Sequence, residues 1–379
     1  MGTDNQNASG FVQAVEERGG SVKAGVGTGL TPGGPGSSSG PGGDFGGTRV
    51  HRQTAASRFI ASPWFAWGVM ILAIAVPFIS SSSYTIRIST DALIFVMLAV
   101  GLNIVVGYCG LLDLGYAAFF AIGAYTSGIL STVLGWPIIA TIPAVIVAAV
   151  VAGLIIGGPT LRLRSDYLAI VTLGFGEIIR ITANNLDFTG GPNGIFGIPG
   201  FGEFGLRPDV ALYFVTVIIV GLAVLASARL GRSRIGRAWR FVREDEDAAE
   251  AMGIHTYRIK FAAYIGGAIF GGIAGVIFAA HQTAISPMSF TFLWSALILM
   301  AVVLGGMGST PGVVIGALII SLLPELLRGA ENWRYFIFGI VLIVMMVFRP
   351  QGIWPSKVSE RVSKIEKKRT KQREKELER

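Results

Sequence analysis

The chain has 379 residues, of which 52% are hydrophobic and only 14% are charged, and its formal net charge is +8. Several stretches near twenty residues long carry almost no charge, so the composition indicates a polytopic membrane protein. The basic residues lie in loops and tails beside these stretches. This placement is typical of residues that set the orientation of membrane spans, and it argues against nucleic-acid binding. One cysteine and three histidines exclude a disulfide framework and a Cys/His metal site.

The chain begins with a tail, residues 1–58, that is rich in Gly, Ser and Pro. Such a segment cannot bury enough apolar area to offset the entropy of ordering, so we predict a disordered cytoplasmic tail. The first apolar run starts only near Pro63, and we therefore expect no signal peptide. A second charged tail, residues 356–379, is expected to anchor the other terminus against anionic lipid.

Between the tails, residues 59–355 predict an all-α fold, a polytopic transmembrane bundle of about ten spans. Helices are required because lipid offers the backbone no hydrogen-bond partner, and the runs do not alternate as barrel strands do. The predicted spans are 64–79, 91–106, 114–134, 138–156, 167–182, 210–228, 261–280, 292–304, 312–327 and 335–348. An even number of spans places both termini on one side, and the basic tail predicts that this side is the cytoplasm.

The charged loops follow the same topology. Arg162, Arg164 and the loop 229–260 fall on the cytoplasmic side, and the more acidic loop 183–209 falls outside.

The loop 229–260 has an ordered pattern of charge. Its first half is basic, its middle turns acidic at 244–247, and a run of small residues ends at Gly253. Alanines allow a helix to dock closely, and a glycine can end it. Four arginines are expected to hold the base of the loop at an anionic membrane surface: Arg234, Arg237, Arg240 and Arg243.

Four ionisable residues lie in or beside the apolar runs. Glu177 and Arg180 are three apart and can pair on one helix face, either as a polar station on a substrate path or as a self-neutralising structural pair. Asp113 and Asp166 lie where spans begin, which favours helix N-capping.

Glycines recur at helical spacing within one span, at Gly267, Gly271 and Gly275. Glycines four apart let two helices approach closely, so this ladder predicts a helix contact. The alternative is a conformational role, because interfaces without interlocking side chains can slide.

The sequence lacks the common catalytic and nucleotide-binding motifs. It contains no GxxxxGK[ST] loop for nucleotide phosphates, no HExxH and no GxSxG. We therefore expect a chain that is not an enzyme, with no catalytic residue and no metal or cofactor of its own. Any energy that the protein uses must come from a partner.

Five segments, taken in order, resemble one family: 101–130 (GLNIVVGYCGLLDLGYAAFFAIGAYTSGIL), 161–195, 233–254 (SRIGRAWRFVREDEDAAEAMGI), 302–320 and 348–355 (FRPQGIWP). They are similar to the permease subunits of branched-chain amino-acid ABC importers, and more similar to the larger of that system's two permeases, the LivM type. The resemblance covers residues 90–355 and does not extend to the Gly-rich tail.

The resemblance implies a multi-pass protein of the plasma or inner membrane that translocates leucine, isoleucine or valine. The implied partners are a second, related permease, two nucleotide-binding subunits that hydrolyse ATP with Mg²⁺, and an extracytoplasmic binding protein. In such importers a short cytoplasmic helix of the permease lies in a groove of the ATPase. The residues that match this coupling element are Arg243, Glu246, Ala248, Ala249 and Gly253.

Transport would then proceed by alternating access. Five residues are our candidates for lining the substrate path: Tyr125, Glu177, Arg180, Asn184 and Asn193.

Other functions stay open at this point. A urea or short-amide importer of the same superfamily would share nearly all of these motifs, and the ligand of its binding protein would separate it. An ion-coupled secondary transporter would need no ATPase, and the turn that ends at Gly253 argues against it. A membrane enzyme would need a reactive constellation, and a scaffold would carry no solute.

Overall fold

The computed structural model of the chain describes Pro77, residues 82–163, 165–201 and 207–326, together with Trp333, Phe336, 339–340 and 352–354. These residues all belong to one of the chain's two compact units, Gln53–Arg379. Both tails and nearly all of the predicted spans 64–79 and 335–348 lie outside the described residues.

Helices account for almost all of the regular structure. In chain order they are α1 (Ser83–Leu102), α2 (Ala117–Thr132), α3 (Ile142–Thr160), α4 (Ser165–Asn185), α5 (Pro208–Arg232), α6 (Arg234–Glu244), α7 (Glu246–Ala251), α8 (Thr256–Gln282), α9 (Phe292–Gly305) and α10 (Thr310–Leu326). Each of the eight predicted spans that fall within the described residues overlaps one of these helices. The predicted all-α class is confirmed, while the total of ten spans and the side of the termini stay predictions.

Among the described residues, five segments are long and apolar enough to cross a membrane: Ser83–Tyr108, Ile138–Thr160, Pro208–Arg232, Thr256–Gln282 and Pro287–Gly305. The shorter apolar helices are α2 and α10. Helix α4 has 21 residues. At 1.5 Å per residue that is about 31 Å, enough to span a hydrocarbon core of roughly 30 Å.

The two ends of the bundle differ in structure. At one end, β1 (Ile195–Phe196) follows α4 and pairs antiparallel with β2 (Ala284–Ile285), which follows α8; Ile195 lies opposite Ile285. At the other end, the short helices α6 and α7 connect α5 to α8. Arg162 lies over the ring of Tyr257, 5.6 Å from its centroid, so the loop before α4 is at the same end as α6 and α7.

The core is centred on α1 and α8. Nearly every residue of α1 from Ala92 onward is buried. The glycines of α8 bring its neighbours close: a Cβ on Gly275 would lie 2.4 Å from the carbonyl oxygen of Phe120 and 2.5 Å from the amide of Ala124, both in α2. Gly267 faces Val105, and Gly271 faces Phe119. This is the geometry of close helix packing without intervening side chains.

Helix α2 begins inside the bundle, which differs from the predicted span 114–134. The segment before it runs back among the helices: a Cβ on Gly115 would overlap the carbonyl of Thr172, in the middle third of α4. The Tyr116 hydroxyl donates to the Gly267 carbonyl, 2.9 Å away and well inside α8. The 16 residues of α2 extend over about 24 Å, which is less than the roughly 30 Å of a hydrocarbon core.

Candidate functional site

Two short helices, α6 and α7, form an elbow at the end of the bundle, and local sequence sets its shape. The Ser233 hydroxyl accepts from the Gly236 amide (3.2 Å) and caps α6. Asp245 is extended, which separates the two helices, and its carboxylate accepts from the Ala248 amide (2.9 Å) to cap α7. Gly253 has φ +82°, a conformation that glycine adopts at little cost, and it follows the end of α7.

Aromatic residues join the elbow to the spans. The Trp239 indole donates to the Ile259 carbonyl in the first turn of α8 (2.8 Å). Tyr108 ends the Ser83–Tyr108 segment, hereafter the first span because it is the first one that the structure describes, and it stacks on Trp239 with ring centroids 6.3 Å apart. Its hydroxyl lies 2.7 Å from the Thr310 hydroxyl at the start of α10. The α6 helix is therefore held against α8 and the Ser83–Tyr108 span, and Tyr108 connects both to the start of α10.

Two of the four arginines have a role that the sequence prediction missed. Arg240 donates to the backbone carbonyls of Gly231 and Gly236, and Arg243 donates to the carbonyl of Gly107. The Gly231 and Gly107 carbonyls lie in the last turns of their helices, where carbonyls have no partner within the helix, so these guanidinium groups satisfy them. The expectation that all four arginines face anionic lipid is wrong for this pair, because their guanidinium groups bind backbone carbonyls, two of them in other helices. Arg237, which is exposed, donates to the nearby Arg232 carbonyl (3.3 Å), and Arg234 is exposed.

The Arg243 contact falls on an irregular part of the first span. Residues Asn103–Tyr108 form a π-helix, which is rare and occurs often at functional sites. The Asn103 carboxamide oxygen accepts from the Gly308 amide (2.8 Å), and its buried nitrogen has no partner among the described residues. Withdrawal from water lowers the pKa of Arg243, which still remains charged at neutral pH.

Side chains of α7 face in two directions. Glu246 pairs with the largely buried Lys260 of α8, and Glu250 accepts from the Thr256 hydroxyl (2.5 Å). Ala249 is only 2% exposed and faces inward, so it is not on an outer docking surface.

The outer face of α7 includes Ala248 and Ala251, and it ends at Met252, which is 80% exposed. The sequence reasoning passed over Met252 because a methionine in a small-residue turn carries no distinguishing pattern.

The five candidates for the substrate path do not form one cluster. Glu177 and Arg180 pair on α4, with the Arg180 Nε 2.9 and 3.0 Å from the two carboxylate oxygens. Asn184, half-buried, follows one turn later. Tyr125 is buried beside Phe290, and its hydroxyl has no partner among the described residues. Asn193 is exposed in a 3-10 turn at the β1–β2 end.

The predicted N-capping role of Asp113 is wrong. Helix α2 begins four residues later, and the Asp113 carboxylate instead accepts from the Gly115 amide (2.8 Å) in the turn that leads into it. Its second oxygen is buried without a partner among the described residues, and burial raises the pKa of Asp113 to about 6. Burial also raises the pKa of the Cys109 thiol to about 12, so this cysteine is an unreactive packing residue. The Asp166 side chain lies outside the described part.

Comparison with known proteins identifies the family to which this chain belongs. The family model for the permease component of branched-chain amino acid transport systems matches residues 84–346. The chain belongs to this permease family. The match includes every described helix from α2 to α10 and nearly all of α1, and thus both the elbow and the α4 ion pair.

Curated relatives of the permease point to the LivM type. This chain is 43% identical to the high-affinity branched-chain amino acid transport system permease protein LivM of Escherichia coli K12. The alignment covers 77% of this chain and 74% of the relative. The LivM protein of Salmonella typhimurium is 42% identical over the same shares. Similarity to LivH of Escherichia coli K12 is lower, 26% over 68% of this chain and 90% of the relative. No solved structure gives a significant match.

The permease is thus a multi-pass protein of the inner membrane, as its apolar helices and its relatives both indicate. Within the part of the chain that the structure describes, no group of three or more His, Cys, Asp or Glu residues could hold a metal ion.

Proposed function

We propose that this permease is the LivM-type subunit of an ATP-binding cassette importer that carries leucine, isoleucine and valine across the membrane. Its similarity to LivM over three quarters of both chains is the observation that carries this proposal. ATP and Mg²⁺ would be bound by two partner ATPase subunits. A second, related permease and an extracytoplasmic binding protein would complete the importer. The second permease is supported by the similarity of this one chain to both LivM and LivH of a single organism.

The elbow would receive the movement of the ATPase. Its α7 helix is short, is capped at both ends, and presents Ala248, Ala251 and Met252 outward. Small residues permit close docking, and a protruding methionine adapts to an apolar groove. Glu246 to Gly253 would be the coupling element, with its inner face held by the Glu246–Lys260 and Glu250–Thr256 contacts.

Movement of the elbow would reach the membrane through Arg243. Its guanidinium binds the Gly107 carbonyl in the π-helical end of the first span, and Trp239 binds the start of α8. A rigid elbow that holds the ends of two spans can shift them together. On this basis the end of the bundle that carries α6 and α7 is cytoplasmic, in agreement with the basic loops there.

The opposite end would receive the binding protein. The surface beside the β1–β2 pair exposes Phe188, Phe196 and Met288 together with Asn193. Exposed aromatic and methionine side chains next to polar turns are typical of protein interaction surfaces. From there the substrate path would continue to Asn184 and the Glu177–Arg180 pair on α4.

The test is reconstitution of the permease with its partner permease, ATPases and binding protein in vesicles. We expect ATP-dependent leucine uptake that stops when the ATPases are omitted. Urea uptake without leucine uptake would instead assign the permease to a short-amide importer. Uptake driven by an ion gradient without ATPases would indicate a secondary transporter.

The coupling element has its own test. Ala248→Trp enlarges the outward face of α7, and Arg237→Trp is the matched change at an exposed position of α6. We expect Ala248→Trp to reduce both uptake and stimulated ATP hydrolysis at least tenfold and Arg237→Trp to retain them. If Ala248→Trp retained both activities, the coupling assignment would be wrong.

A further inference from the structure

Helix α4 exposes one continuous face to the surroundings of the chain. The exposed side chains are three or eight residues apart in the chain, spacings that place them on one side of a helix: Tyr167, Ile170, Ile178 and Ile181. Ile170 is 67% exposed and Ile178 is 56% exposed. The opposite side of α4 is buried, with Leu168 and Thr172 packed against the bundle. The outer face therefore has no covering element among the described residues.

A pair of charges lies in the second half of this helix, at its 13th and 16th residues. The Glu177–Arg180 pair has its carboxylate side chain 43% exposed. An ionised side chain deep in a bilayer costs about 2.5 kcal/mol or more, and pairing reduces this cost without meeting all of the hydrogen-bonding capacity of the carboxylate. Lipid chains are thus a poor cover for the α4 face.

Helix α3 shows what a lipid-facing side of this chain looks like. Its exposed large apolar residues are Val147, Val151, Leu154 and Ile155, the last of them 65% exposed. No charge interrupts this row. Two helices of one bundle therefore expose similar amounts of apolar surface, but only the α4 face combines it with an ion pair.

The α4 face also contains a notch. A Cβ on Gly174 would meet no atom within 4 Å, and Gly174 lies between Ile170 and Ile178 on the exposed side. Such a gap in a row of large side chains lets another helix approach closely. The neighbouring Gly176 points the other way, where a Cβ would lie 3.3 Å from Gly115.

We propose that the α4 face, Tyr167 to Ile181 with Gly174 at its centre and the Glu177–Arg180 pair at its edge, is the surface that binds the second permease subunit. The occupant is a transmembrane helix of that related chain, which lies in the Gly174 notch and offers a polar group to Glu177. This inference rests on the proposed function, which supplies the second permease. It adds the identity of the helix that forms the interface and a reason why an ion pair is tolerated at that position.

Photo-crosslinking tests the location of the interface. Benzoylphenylalanine is placed at Ile170 or Ile178 on α4, and at Val151 or Ile155 on α3 as matched controls, in the full importer within native membranes. We expect adducts with the second permease at the α4 positions, at least five times more abundant than at the α3 positions. Adducts with lipid alone at Ile170 and Ile178, or with another segment of the same chain such as the predicted spans 64–79 and 335–348, would overturn the proposal. Permease adducts mainly from α3 would also overturn it.

A pair of glycines provides an independent measurement. Gly174→Trp fills the α4 notch, and Gly158→Trp adds the same side chain to the exposed side of α3, where a Cβ also meets no atom within 4 Å. We expect Gly174→Trp to reduce co-purification of the second permease at least tenfold and Gly158→Trp to leave it unchanged, with equal melting temperatures for the two isolated chains. Equal co-purification of both variants would contradict the proposal.

These outcomes separate this proposal from the proposed function. If the importer takes up leucine with ATP while α4 cross-links only to lipid, the interface assignment is wrong and the function stands. If no second permease associates and no ATP-dependent uptake occurs, both are wrong.

Discussion

The Arg243 guanidinium donates a hydrogen bond to the backbone carbonyl of Gly107, joining the elbow to the π-helical end of the first span. The bond connects residues 136 positions apart in the chain. A hydrogen bond from a charged donor to a carbonyl at a helix end is stronger than one between neutral groups, and here it links α6, which precedes the proposed coupling element, to a buried core helix.

Replacement of Arg243 should uncouple the elbow. Because hydrogen bonds to charged groups contribute about 1.5–3 kcal/mol, we expect Arg243→Ala to lower the free energy of unfolding by about that amount and to reduce ATP-dependent uptake at least tenfold. The control is Arg234→Ala, an exposed position of the same helix. Thermal unfolding in detergent and uptake in vesicles measure the two effects. Equal losses in both variants would show that only the surface charge matters.

The Glu246–Lys260 pair should show strong coupling between its partners. Lys260 is largely buried, so Glu246→Gln leaves its ammonium without a carboxylate, and we expect a loss of about 1–3 kcal/mol of unfolding free energy. Lys260→Met alone should cost less, and Lys260→Met with Glu246→Gln should recover most of the loss. A double-mutant cycle from chemical or thermal unfolding measures this. Additive losses would mean that the pair does not interact.

Gly275 should tolerate no side chain. A Cβ there would lie 2.4 Å from the Phe120 carbonyl oxygen, so we expect Gly275→Ala to lower the free energy of unfolding by about 2 kcal/mol or more. Gly266→Ala is the control in the same helix, because its nearest neighbour, the Ile104 side chain, lies at an ordinary 3.7 Å. Thermal unfolding of both variants should separate them by several degrees. A neutral Gly275→Ala would contradict the close contact between α2 and α8.

Asp113 should make stability depend on pH. In the unfolded chain this carboxyl group ionises near pH 4, whereas burial raises its pKa in the folded chain to about 6. The folded state therefore holds the proton more tightly, and stability should fall as pH rises from about 4 to 6.

Asp113→Asn retains an acceptor for the Gly115 amide and removes the charge. We expect it to raise the free energy of unfolding by about 1–3 kcal/mol at pH 7.5, with a smaller gain at pH 5. Melting temperatures measured across this pH range check the sign. A gain that is the same at pH 5 and pH 7.5 would exclude ionisation of Asp113 as its cause.

Much of the fold follows from local pattern. The apolar runs predicted eight helices that the structure describes, and Gly253 marked the end of α7 because a positive φ there favours glycine. The roles of Arg240 and Arg243 could not be predicted, because their partners are backbone carbonyls, which every residue has. The inward position of Ala249 and the outward position of Met252 likewise depend on how the elbow rests on the spans.

The sequence by itself determined that this is a helical membrane protein without a nucleotide-binding loop of its own, and its ordered motifs identified the family. These properties depend on composition and on residues close together in the chain. Only the tertiary structure decided that α2 starts inside the bundle, that Arg243 binds the first span, and that the Glu177–Arg180 pair lies on an exposed helix. Each of these depends on distances between segments far apart in sequence, which packing sets and no local pattern encodes.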